Sequence, residues 1–323
     1  MKRTLFRCGI ALLAIILVVS LVLLLKPGSS STTTTVTSTT TPAATATTLK
    51  NPTSGRMIEV HIIDCGQADA IYIRTEDGCM LIDAGNTGEQ SKVTKYLKGQ
   101  GVTQIDWMVL THPHADHIGA ASAILESYDV ERVMLPDAEY NSSVYSRLLN
   151  NLNSSDAEIH IVDVDNHLVL DLDETNVYHA GDKFTMGELD FTILNPIVGD
   201  GNVNNMSVAL YMAYGNTTFL FAGDMEGVAE NKVMQKFSEQ LECDVLKVGH
   251  HGSSSSTSQK FLDATNPTYA LISCGQGNSY GHPHSATIYR LERNDITTYR
   301  TDTDGSIIVF SNGQEIVHIG TVK

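Results

Sequence analysis

The chain has 323 residues, of which 42% are hydrophobic and 7% aromatic, and this is enough for one large domain or two small ones. Its charge is uneven, because every acidic residue follows Arg56, whereas six of the 21 basic residues lie at or before it. Residues 57–323 therefore carry 15 basic and 37 acidic side chains, a formal net charge of −22. This charge excludes a general nucleic-acid-binding surface unless a local cationic site overrides it.

The first 26 residues have the pattern of a membrane segment. Three basic residues, Lys2, Arg3 and Arg7, precede residues 9–25, which carry no charge and almost nothing polar. This apolar stretch is near the shortest that spans a bilayer, and no small-residue cleavage site follows it, so residues 1–26 are predicted to be an uncleaved single-pass signal anchor. The basic residues predict a cytoplasmic N-terminus and an extracytoplasmic remainder. A cleaved signal peptide, which would make the protein secreted, is the alternative.

Residues 27–56 are dominated by Ser, Thr, Ala and Pro. Such a composition cannot bury a core, so this segment is expected to be a solvated, partly extended linker. Residues 57–323 are then predicted to form the folded domain. The cysteines of this domain lie in or beside apolar stretches and are predicted to be buried free thiols, with a Cys65–Cys79 bridge as the alternative.

From residue 57 onward, strand-like and helix-like stretches alternate, as judged by apolar period and by Gly and Asn punctuation. Each half has a strand-rich block that ends in alternating helices and strands. This order predicts an α/β fold with two sheets packed face to face and helices outside, a four-layer αββα sandwich. The predicted strands are 58–64, 70–74, 79–83, 107–110, 132–135, 158–164, 191–194, 207–214, 217–221, 244–248 and 269–273, with two more closing the chain. The predicted helices are 91–98, 116–128, 144–152, 225–241, 259–264 and 286–293.

A cluster of histidines follows the predicted strand 107–110. Four side chains that can bind a metal lie within six residues: His112, His114, Asp116 and His117. Alternation along an extended segment puts His112 and His114 on one side, and the start of the next helix turns the other two toward a second point nearby. Burying three imidazoles and a carboxylate without a ligand would be costly, so the cluster predicts two adjacent cations.

Two further predicted strands end in side chains that can bind a metal. Strand 217–221 leads to Asp224, and strand 244–248 leads to His250 and His251. Each is weak evidence alone, because Gly-Asp and His-His-Gly segments are common in turns and loops. Three strands that deliver such residues to one sheet edge together predict a binuclear metal site.

Eight stretches form a wider pattern that covers nearly all of the predicted domain. They are Asp64-Cys-Gly-Gln-Ala-Asp-Ala70, Leu81-Ile-Asp-Ala-Gly85, Leu110-Thr-His-Pro-His-Ala-Asp-His-Ile-Gly119, Asn204-Asn-Met-Ser207, Ala222-Gly-Asp224, Leu246-Lys-Val-Gly-His-His-Gly-Ser253, Asn278-Ser-Tyr-Gly-His-Pro-His284 and Arg300-Thr-Asp-Thr-Asp-Gly305. In these stretches the chain resembles the metallo-β-lactamase-fold superfamily. Within it, the chain is most similar to the external hydrolase domain of DNA-internalisation competence proteins, and next to bacterial phosphorylcholine esterases.

The resemblance implies a set of ligands for two divalent metal ions, and a set of imidazoles and carboxylates suits Zn²⁺ or Mn²⁺. The superfamily's third histidine on the first ion has no counterpart, because its expected place holds Asn205 and Ser207. The implied ligands are His112 and His114 for the first ion, Asp116, His117 and His250 for the second, and Asp224 as the bridge between them.

The resemblance also implies roles in catalysis. Asp116 is expected to act in the reaction as well as in metal binding, and His251 and His282 are candidates for a further ligand or a proton donor. Asp83 is expected to hydrogen-bond near the ligand histidines, and Asp64 and Asp69 to brace the loop beneath the metals, although a turn-forming role alone is the alternative for each.

These features predict a membrane-tethered, extracytoplasmic phosphodiesterase or nuclease in which two divalent ions activate water. DNA or another phosphodiester would be bound at the metals. Phosphorylcholine or another ester is the alternative substrate. A non-catalytic surface binding module is the alternative of another class, and it is disfavoured because a structural metal site is normally closed by protein ligands. Competence proteins have many membrane spans and this chain offers one candidate, so a role in DNA uptake would require a separate channel.

Overall fold

Two β-sheets with helices outside them make up the computed structural model, which describes residues 56–164, 168–170, 172 and 175–323. The predicted signal anchor and all but the last residue of the predicted linker lie outside the described residues. Within the described part of the chain, no helix combines the length and the apolar character needed to cross a membrane. The expectations for the anchor and the linker therefore stay predictions.

The strands follow the predicted order along the chain. They are β1 (Ile58–Ile62), β2 (Ile71–Arg74), β3 (Cys79–Ile82), β4 (Gln104–Ile105), β5 (Trp107–Val109), β6 (Asp129–Val130), β7 (Arg132–Pro136), β8 (Glu158–Val162), β9 (Thr175–Tyr178), β10 (Lys183–Met186), β11 (Leu189–Asn195), β12 (Ala209–Tyr214), β13 (Thr217–Phe221), β14 (Val245–Lys247), β15 (Tyr269–Ile272), β16 (Thr297–Arg300), β17 (Ser306–Ser311) and β18 (Ile316–Val322). One sheet has the order β18-β17-β1-β2-β3-β5-β7-β8-β9, and the other has the order β10-β11-β12-β13-β14-β15-β16. Strands β4 and β6 form a separate pair.

Each sheet combines an antiparallel part with a parallel part. Strands β3, β5, β7, β8 and β9 are parallel, and so are β13, β14, β15 and β16. Parallel neighbours need crossover connections, which helices commonly provide. The helices are α1 (Gln90–Gly99), α2 (Ala115–Ile118), α3 (Ala121–Ser127), α4 (Ser143–Leu152), α5 (Gly227–Phe237), α6 (Gln259–Thr265), α7 (Ser285–Arg293) and α8 (Thr301–Asp304).

Three hydrophobic clusters separate the layers. The first lies between the sheets and includes Val60 from one and Phe191 from the other. The second joins the nine-stranded sheet to α1, α2, α3 and α4, and the third joins the seven-stranded sheet to α5, α6 and α7. The predicted α/β arrangement, with sheets inside and helices outside, is therefore confirmed. Cys79 is a buried free thiol that donates to the Gln104 carbonyl, so it does not bridge to Cys65.

Three predicted elements differ from the structure. The single helix predicted at 116–128 is two helices, α2 and α3, which are separated at Gly119. A Cβ at Gly119 would lie 2.2 Å from the backbone nitrogen of Thr87, so the chain approaches this loop too closely for a side chain. The helix predicted at 225–241 covers only Gly227–Phe237 and is followed by a short 3₁₀ turn. Three strands close the chain where two were predicted, because β16 adds to the seven-stranded sheet in parallel with β15.

Candidate metal centre

The residues of the predicted metal site meet where loops from the two sheets adjoin. The segment after β5, which continues into the first turn of α2, extends from a strand of the nine-stranded sheet. The loops after β13 and β14 extend from strands of the seven-stranded sheet. Each of these loops follows the carboxyl end of a parallel strand, where α/β proteins commonly place ligand sites. Together they supply His112, His114, Asp116, His117, Asp224, His250 and His251.

The Asp224 carboxylate lies at the centre of this cluster, and its side chain is only 2% exposed. Four histidines direct their Nε2 atoms at a single carboxylate oxygen, Asp224 Oδ2. The distances to this oxygen are 3.3 Å from His117, 3.7 Å from His250, and 3.8 Å from both His112 and His251. This geometry agrees with the bridging role that the resemblance implies for Asp224.

Three buried polar atoms of the cluster make no hydrogen bond to any of the described residues. They are Nε2 of His117, Nε2 of His251 and Oδ1 of Asp224. A buried polar atom without a partner costs about 1–3 kcal/mol. Cations bound among them would give these atoms partners, and imidazole nitrogens with carboxylate oxygens are donors that suit Zn²⁺ and Mn²⁺. The residues therefore fit the metals that the sequence predicts.

Ligand atoms of the cluster come within 4.8 Å of one another in overlapping groups. One group is His112, His117 and Asp224, and another is Asp116, His117 and His251. In the second group, His251 Nε2 lies 3.4 Å from Asp116 Oδ2. The structure therefore places His251 beside Asp116 and His117 of α2. The resemblance assigns this position to His250.

The predicted ligands His114 and His250 are less buried than the other histidines of the cluster. Neither belongs to a group that the described residues form within 4.8 Å. His114 Nδ1 lies 3.0 Å from His112 Nε2. His250 directs Nδ1 at Glu226 Oε1, at 3.1 Å, and its side chain is 22% exposed. Their role as metal ligands stays a prediction, whereas their place at the rim of the cluster is clear.

A buried carboxylate fixes the orientation of His117. Asp83 Oδ2 lies 2.7 Å from His117 Nδ1, which turns Nε2 of this ring toward Asp224. Asp83 itself accepts hydrogen bonds from the Thr111 backbone nitrogen at 2.7 Å and from the Thr111 hydroxyl at 2.8 Å. The expected hydrogen bond of Asp83 near the ligand histidines is therefore confirmed, and it selects which nitrogen of His117 faces the centre.

A buried ion pair supports His251 from the other side. Lys247 Nζ donates to Asp69 Oδ2 at 2.7 Å, and both side chains are 1% exposed. The other oxygen of Asp69 lies 3.3 Å from His251 Nδ1, which also lies 3.0 Å from the Ser273 carbonyl oxygen. The Ser273 carbonyl oxygen is the hydrogen-bond partner of Nδ1, and the Asp69 carboxylate lies on the same side of the ring, so Nε2 faces Asp116 and Asp224.

The place expected for the superfamily's third histidine holds Ser207 and Asn205, whose side chains contact the segment that carries Asp224. Ser207 Oγ accepts a hydrogen bond from the Asp224 backbone nitrogen at 3.0 Å and lies 3.4 Å from His112 Nδ1. A Cβ at Gly223, where φ is +54°, would come within 2.9 Å of Ser207 Cβ. Asn205 Oδ1 accepts from the Glu226 backbone nitrogen at 3.1 Å. Ser207 and Asn205 therefore brace the segment that carries Asp224.

The carboxylates favour protonation of two central histidines. Burial opposes a charge on His251, but the carboxylates of Asp224 and Asp69 outweigh it and raise the pKa of His251 to about 10. Burial acts in the same way on His117, and Asp224 and Asp83 raise its pKa well above the usual value. A cation that binds these imidazoles therefore has to displace their protons.

A cavity of about 300 Å³ opens beside the cluster. None of the residues that line it is Lys or Arg. His282, the remaining predicted catalytic residue, belongs to this lining. Burial lowers the pKa of His282 most, and the nearby His251 and His250 lower it further, to about 4. The His282 ring is therefore neutral near pH 7 and suited to accept a hydrogen bond. The lining of the cavity includes Gln67, Asp116, Tyr140, Asp224, Tyr280 and His282.

Three residues of the site have no role in the sequence prediction. Lys247 carries a detectable signal, because a lysine within the apolar stretch of β14 requires a buried partner. Glu226, which lies beside His250, and Tyr280, which lines the cavity, occur in loops where no periodicity distinguishes them from other polar or exposed residues. Their contacts depend on tertiary structure alone.

Comparisons with known proteins agree with this geometry. A sequence profile described as the Metallo-beta-lactamase superfamily matches residues 63–276. The chain is 31% identical over 268 residues to ComE operon protein 3 of Bacillus subtilis, and the match covers 77% of this chain and 32% of that protein. It is 28% identical over 250 residues to Competence protein ComA of Neisseria gonorrhoeae, covering 77% of this chain and 31% of that protein.

A third relative is Recombination protein 2 of Haemophilus influenzae, which is 27% identical over 259 residues, or 78% of this chain and 28% of that protein. The chain thus spans a third or less of the length of these curated relatives. The profile match covers well over half of the chain, including the segments that carry His112, Asp224 and His251. The chain therefore belongs to the metallo-beta-lactamase superfamily, whose fold is that of metal-dependent hydrolases, and it is similar to competence proteins.

Proposed function

We propose that this protein is a metal-dependent phosphodiesterase of nuclease type, anchored in the cell membrane with its hydrolase domain on the extracytoplasmic side. The observation that carries the proposal is the arrangement around Asp224, where four imidazoles and the nearby Asp116 carboxylate surround a buried oxygen at the edge of a cavity. The similarity to competence proteins supports a phosphodiester substrate such as DNA. The basic and apolar N-terminal pattern supports the anchor.

The chemistry follows from what these side chains can hold. Two divalent ions bound here would supply a Lewis acid for a phosphoryl oxygen and would activate water at neutral pH. The carboxylates of Asp116 and Asp224 would offset about half of the charge of two such ions, leaving about +2 to attract an anionic substrate within an acidic protein. Asp83 and Asp69 would keep the ligand rings in position while the substrate binds.

The test is an assay of the purified full chain with Zn²⁺ and with Mn²⁺. The substrates are single-stranded DNA, double-stranded DNA, bis-p-nitrophenyl phosphate and p-nitrophenyl phosphorylcholine. Turnover of DNA or the diester with either metal is expected, and its loss on chelation should be reversed by adding the metal again. If only the choline ester is hydrolysed, the phosphodiesterase proposal is wrong and the esterase alternative takes its place.

Substitution of Asp116 separates an enzyme from a binding module. Asp116→Asn keeps the shape of the side chain and removes a charge that faces the cavity, where this side chain is 26% exposed. We expect turnover to fall by about two orders of magnitude or more, in line with the loss of a catalytic electrostatic contact, while the melting temperature without metal changes little. A variant that loses its fold while the parent shows no turnover would support the structural module.

A further inference from the structure

An exposed aromatic ring stands at the mouth of the cavity. Tyr280 lies in the loop between β15 and α7, and it is 65% exposed although it lines the cavity beside the metal cluster. A tyrosine in the core would be covered by neighbouring residues, and one that only shields a loop would pack against it. Exposure alone does not distinguish this ring, but its place in the cavity lining puts an exposed aromatic face where a bound ligand would meet it.

Three rings form a series from this surface to the metal cluster. The Tyr280 ring stacks on His282 with 5.6 Å between centroids and 23° between planes. His282 continues to His251 with 6.2 Å between centroids and 29° between planes. Two ring contacts thus separate the exposed tyrosine from a histidine that faces Asp116 and Asp224. A group stacked on Tyr280 would lie close to a phosphodiester held at the cluster.

The loop that carries this tyrosine is held by side-chain hydrogen bonds. Asn278 Oδ1 accepts from the backbone nitrogens of Tyr280 at 3.1 Å and of His282 at 3.0 Å. Asn278 Nδ2 donates to the Gly275 carbonyl at 2.9 Å. Gln67 Nε2 lies 3.3 Å from His282 Nδ1 and fixes the lower ring of the stack. A surface that is ordered before binding loses less conformational freedom when a flat ligand binds to it.

We propose that Tyr280, stacked on His282, is the platform for an unpaired nucleobase next to the scissile phosphodiester. The inference rests on the proposed function and specifies its substrate class as single-stranded nucleic acid. No Lys or Arg lines the cavity, so contacts with phosphates outside the metal cluster contribute little affinity, and stacking on an aromatic ring is a sequence-tolerant source of it. Bases within a duplex are stacked and paired and do not offer a free face.

A quaternary ammonium group is less suited to this surface. It carries a positive charge, which a metal centre with a net positive charge would repel. A nucleobase is neutral and flat, so it matches both the shape and the charge of the site.

The test compares Tyr280→Ala with Tyr280→Phe in the metal-loaded full chain. The substrates are oligothymidylate and the same backbone with abasic residues. Tyr289→Ala is the matched control, because Tyr289 is 63% exposed but lies on α7 and does not belong to the cavity lining. We expect Tyr280→Ala to raise KM for oligothymidylate by about five- to a hundredfold, the range that corresponds to loss of one base–aromatic stack. Tyr280→Phe and Tyr289→Ala should leave KM within about twofold.

The abasic substrate separates stacking from other effects of the substitution. The parent protein should show a raised KM for it, and Tyr280→Ala should add no further increase. Equal effects of Tyr280→Ala on both substrates would overturn the proposal, as would an increase in KM restricted to p-nitrophenyl phosphorylcholine. If the parent hydrolyses oligothymidylate and the abasic strand with the same KM, the phosphodiesterase function stands and the platform is wrong. If it hydrolyses no phosphodiester, both are wrong.

Discussion

A buried ion pair links the two sheets beside His251 of the candidate metal centre. Asp69 lies in the loop between β1 and β2, and Lys247 is the last residue of β14. Two charges that are almost fully buried each lose several kcal/mol of hydration, and their mutual attraction offsets this loss only while both are present. The pair therefore contributes less to net stability than to the surroundings of His251, because Asp69 lies 3.3 Å from Nδ1 of this ring.

Removal of one partner of this pair should therefore be more damaging than removal of both. Lys247→Met leaves the Asp69 carboxylate buried without its paired ammonium group, so we expect a loss of about 3–5 kcal/mol in the free energy of unfolding, measured by denaturant titration. Affinity for Mn²⁺ should fall by about 10- to 100-fold, measured by calorimetry, because the support of His251, a candidate ligand, is lost.

The double variant Lys247→Met with Asp69→Leu is the control for this prediction. It replaces the charged pair by apolar side chains, so it should recover most of the lost stability while metal affinity stays low. Recovery of metal affinity along with stability would contradict a positioning role for Asp69 and Lys247.

The proton on His251 should make metal binding depend on pH. In the folded, metal-free protein the pKa of His251 is about 10, above its ordinary value of 6.5, so this group stabilises the folded state fully below about pH 6.5 and less as pH rises through about 10. A bound metal ion replaces this proton, so metal affinity should increase with pH over the same interval.

The measurement compares melting temperatures with Mn²⁺ and with a chelator at about pH 6.5, 7.5 and 8.5. The difference between the two curves should grow at each step, since metal binding stabilises the folded state in proportion to the logarithm of its affinity. A difference that stays constant or shrinks over this range would show that His251 gives up no proton to the metal.

At the level of elements, the strands that deliver the ligands could be predicted well. The strand predicted at 107–110 ends within one residue of β5, and the one predicted at 244–248 contains β14, because runs of buried apolar residues mark such strands clearly. Short pairs such as β4 and β6 have two residues each and produce no period. The sequence therefore predicts which strands lead to the site better than it predicts the loops within it.

The assignment of the paired histidines shows where prediction from sequence stops. His250 and His251 are adjacent, and the choice between them depends on backbone angles rather than on residue type. Both have positive φ, 48° and 53°, and Gly252 follows with φ of 82°. This sharp turn directs the second ring at Asp116 and the first toward Glu226. The spacing of apolar residues in the sequence does not indicate such a turn, so the positions of these two rings are known only from the structure.

The conformation of this turn predicts that Gly252→Ala is damaging. A Cβ there would lie 2.6 Å from Pro283 Cβ, in a backbone conformation that costs a non-glycine residue about 1–2 kcal/mol. We expect a loss of about 2–4 kcal/mol in stability and weaker Mn²⁺ binding, because the neighbouring His251 would be displaced. Gly99→Ala is the control, since a Cβ at Gly99 meets nothing within 4 Å. Equal effects of the two variants would rule out this account.

At the scale of the whole molecule, the net charge opposes the proposed function only when the surface is considered without the metals. A net charge of −22 on residues 57–323 repels a polyanion at long range, and screening by salt weakens this repulsion beyond about 8–10 Å. Attraction is then confined to the loaded centre. Such a protein would bind one phosphodiester locally instead of holding a long strand along its surface.

This local attraction predicts a shallow dependence on salt. With about one phosphate contact, kcat/KM for oligothymidylate should fall by about threefold or less between about 50 and 200 mM NaCl, whereas six or more contacts would give a change of about a thousandfold. The measurement is a plot of log kcat/KM against log salt concentration, with bis-p-nitrophenyl phosphate as the control. A steep slope for DNA alone would indicate a cationic track elsewhere on the chain.

The cluster draws its residues from loops of both sheets, and this has a consequence for how the protein folds. His112 and His117 come from the first sheet, whereas Asp224 and His251 come from the second, so ligand atoms distant in sequence must meet before a metal can be held. Contacts of such wide sequence separation are slow to form. Metal uptake during refolding should therefore lag behind the recovery of helical circular dichroism, and a metal-sensitive dye would time the moment at which the two sheets dock.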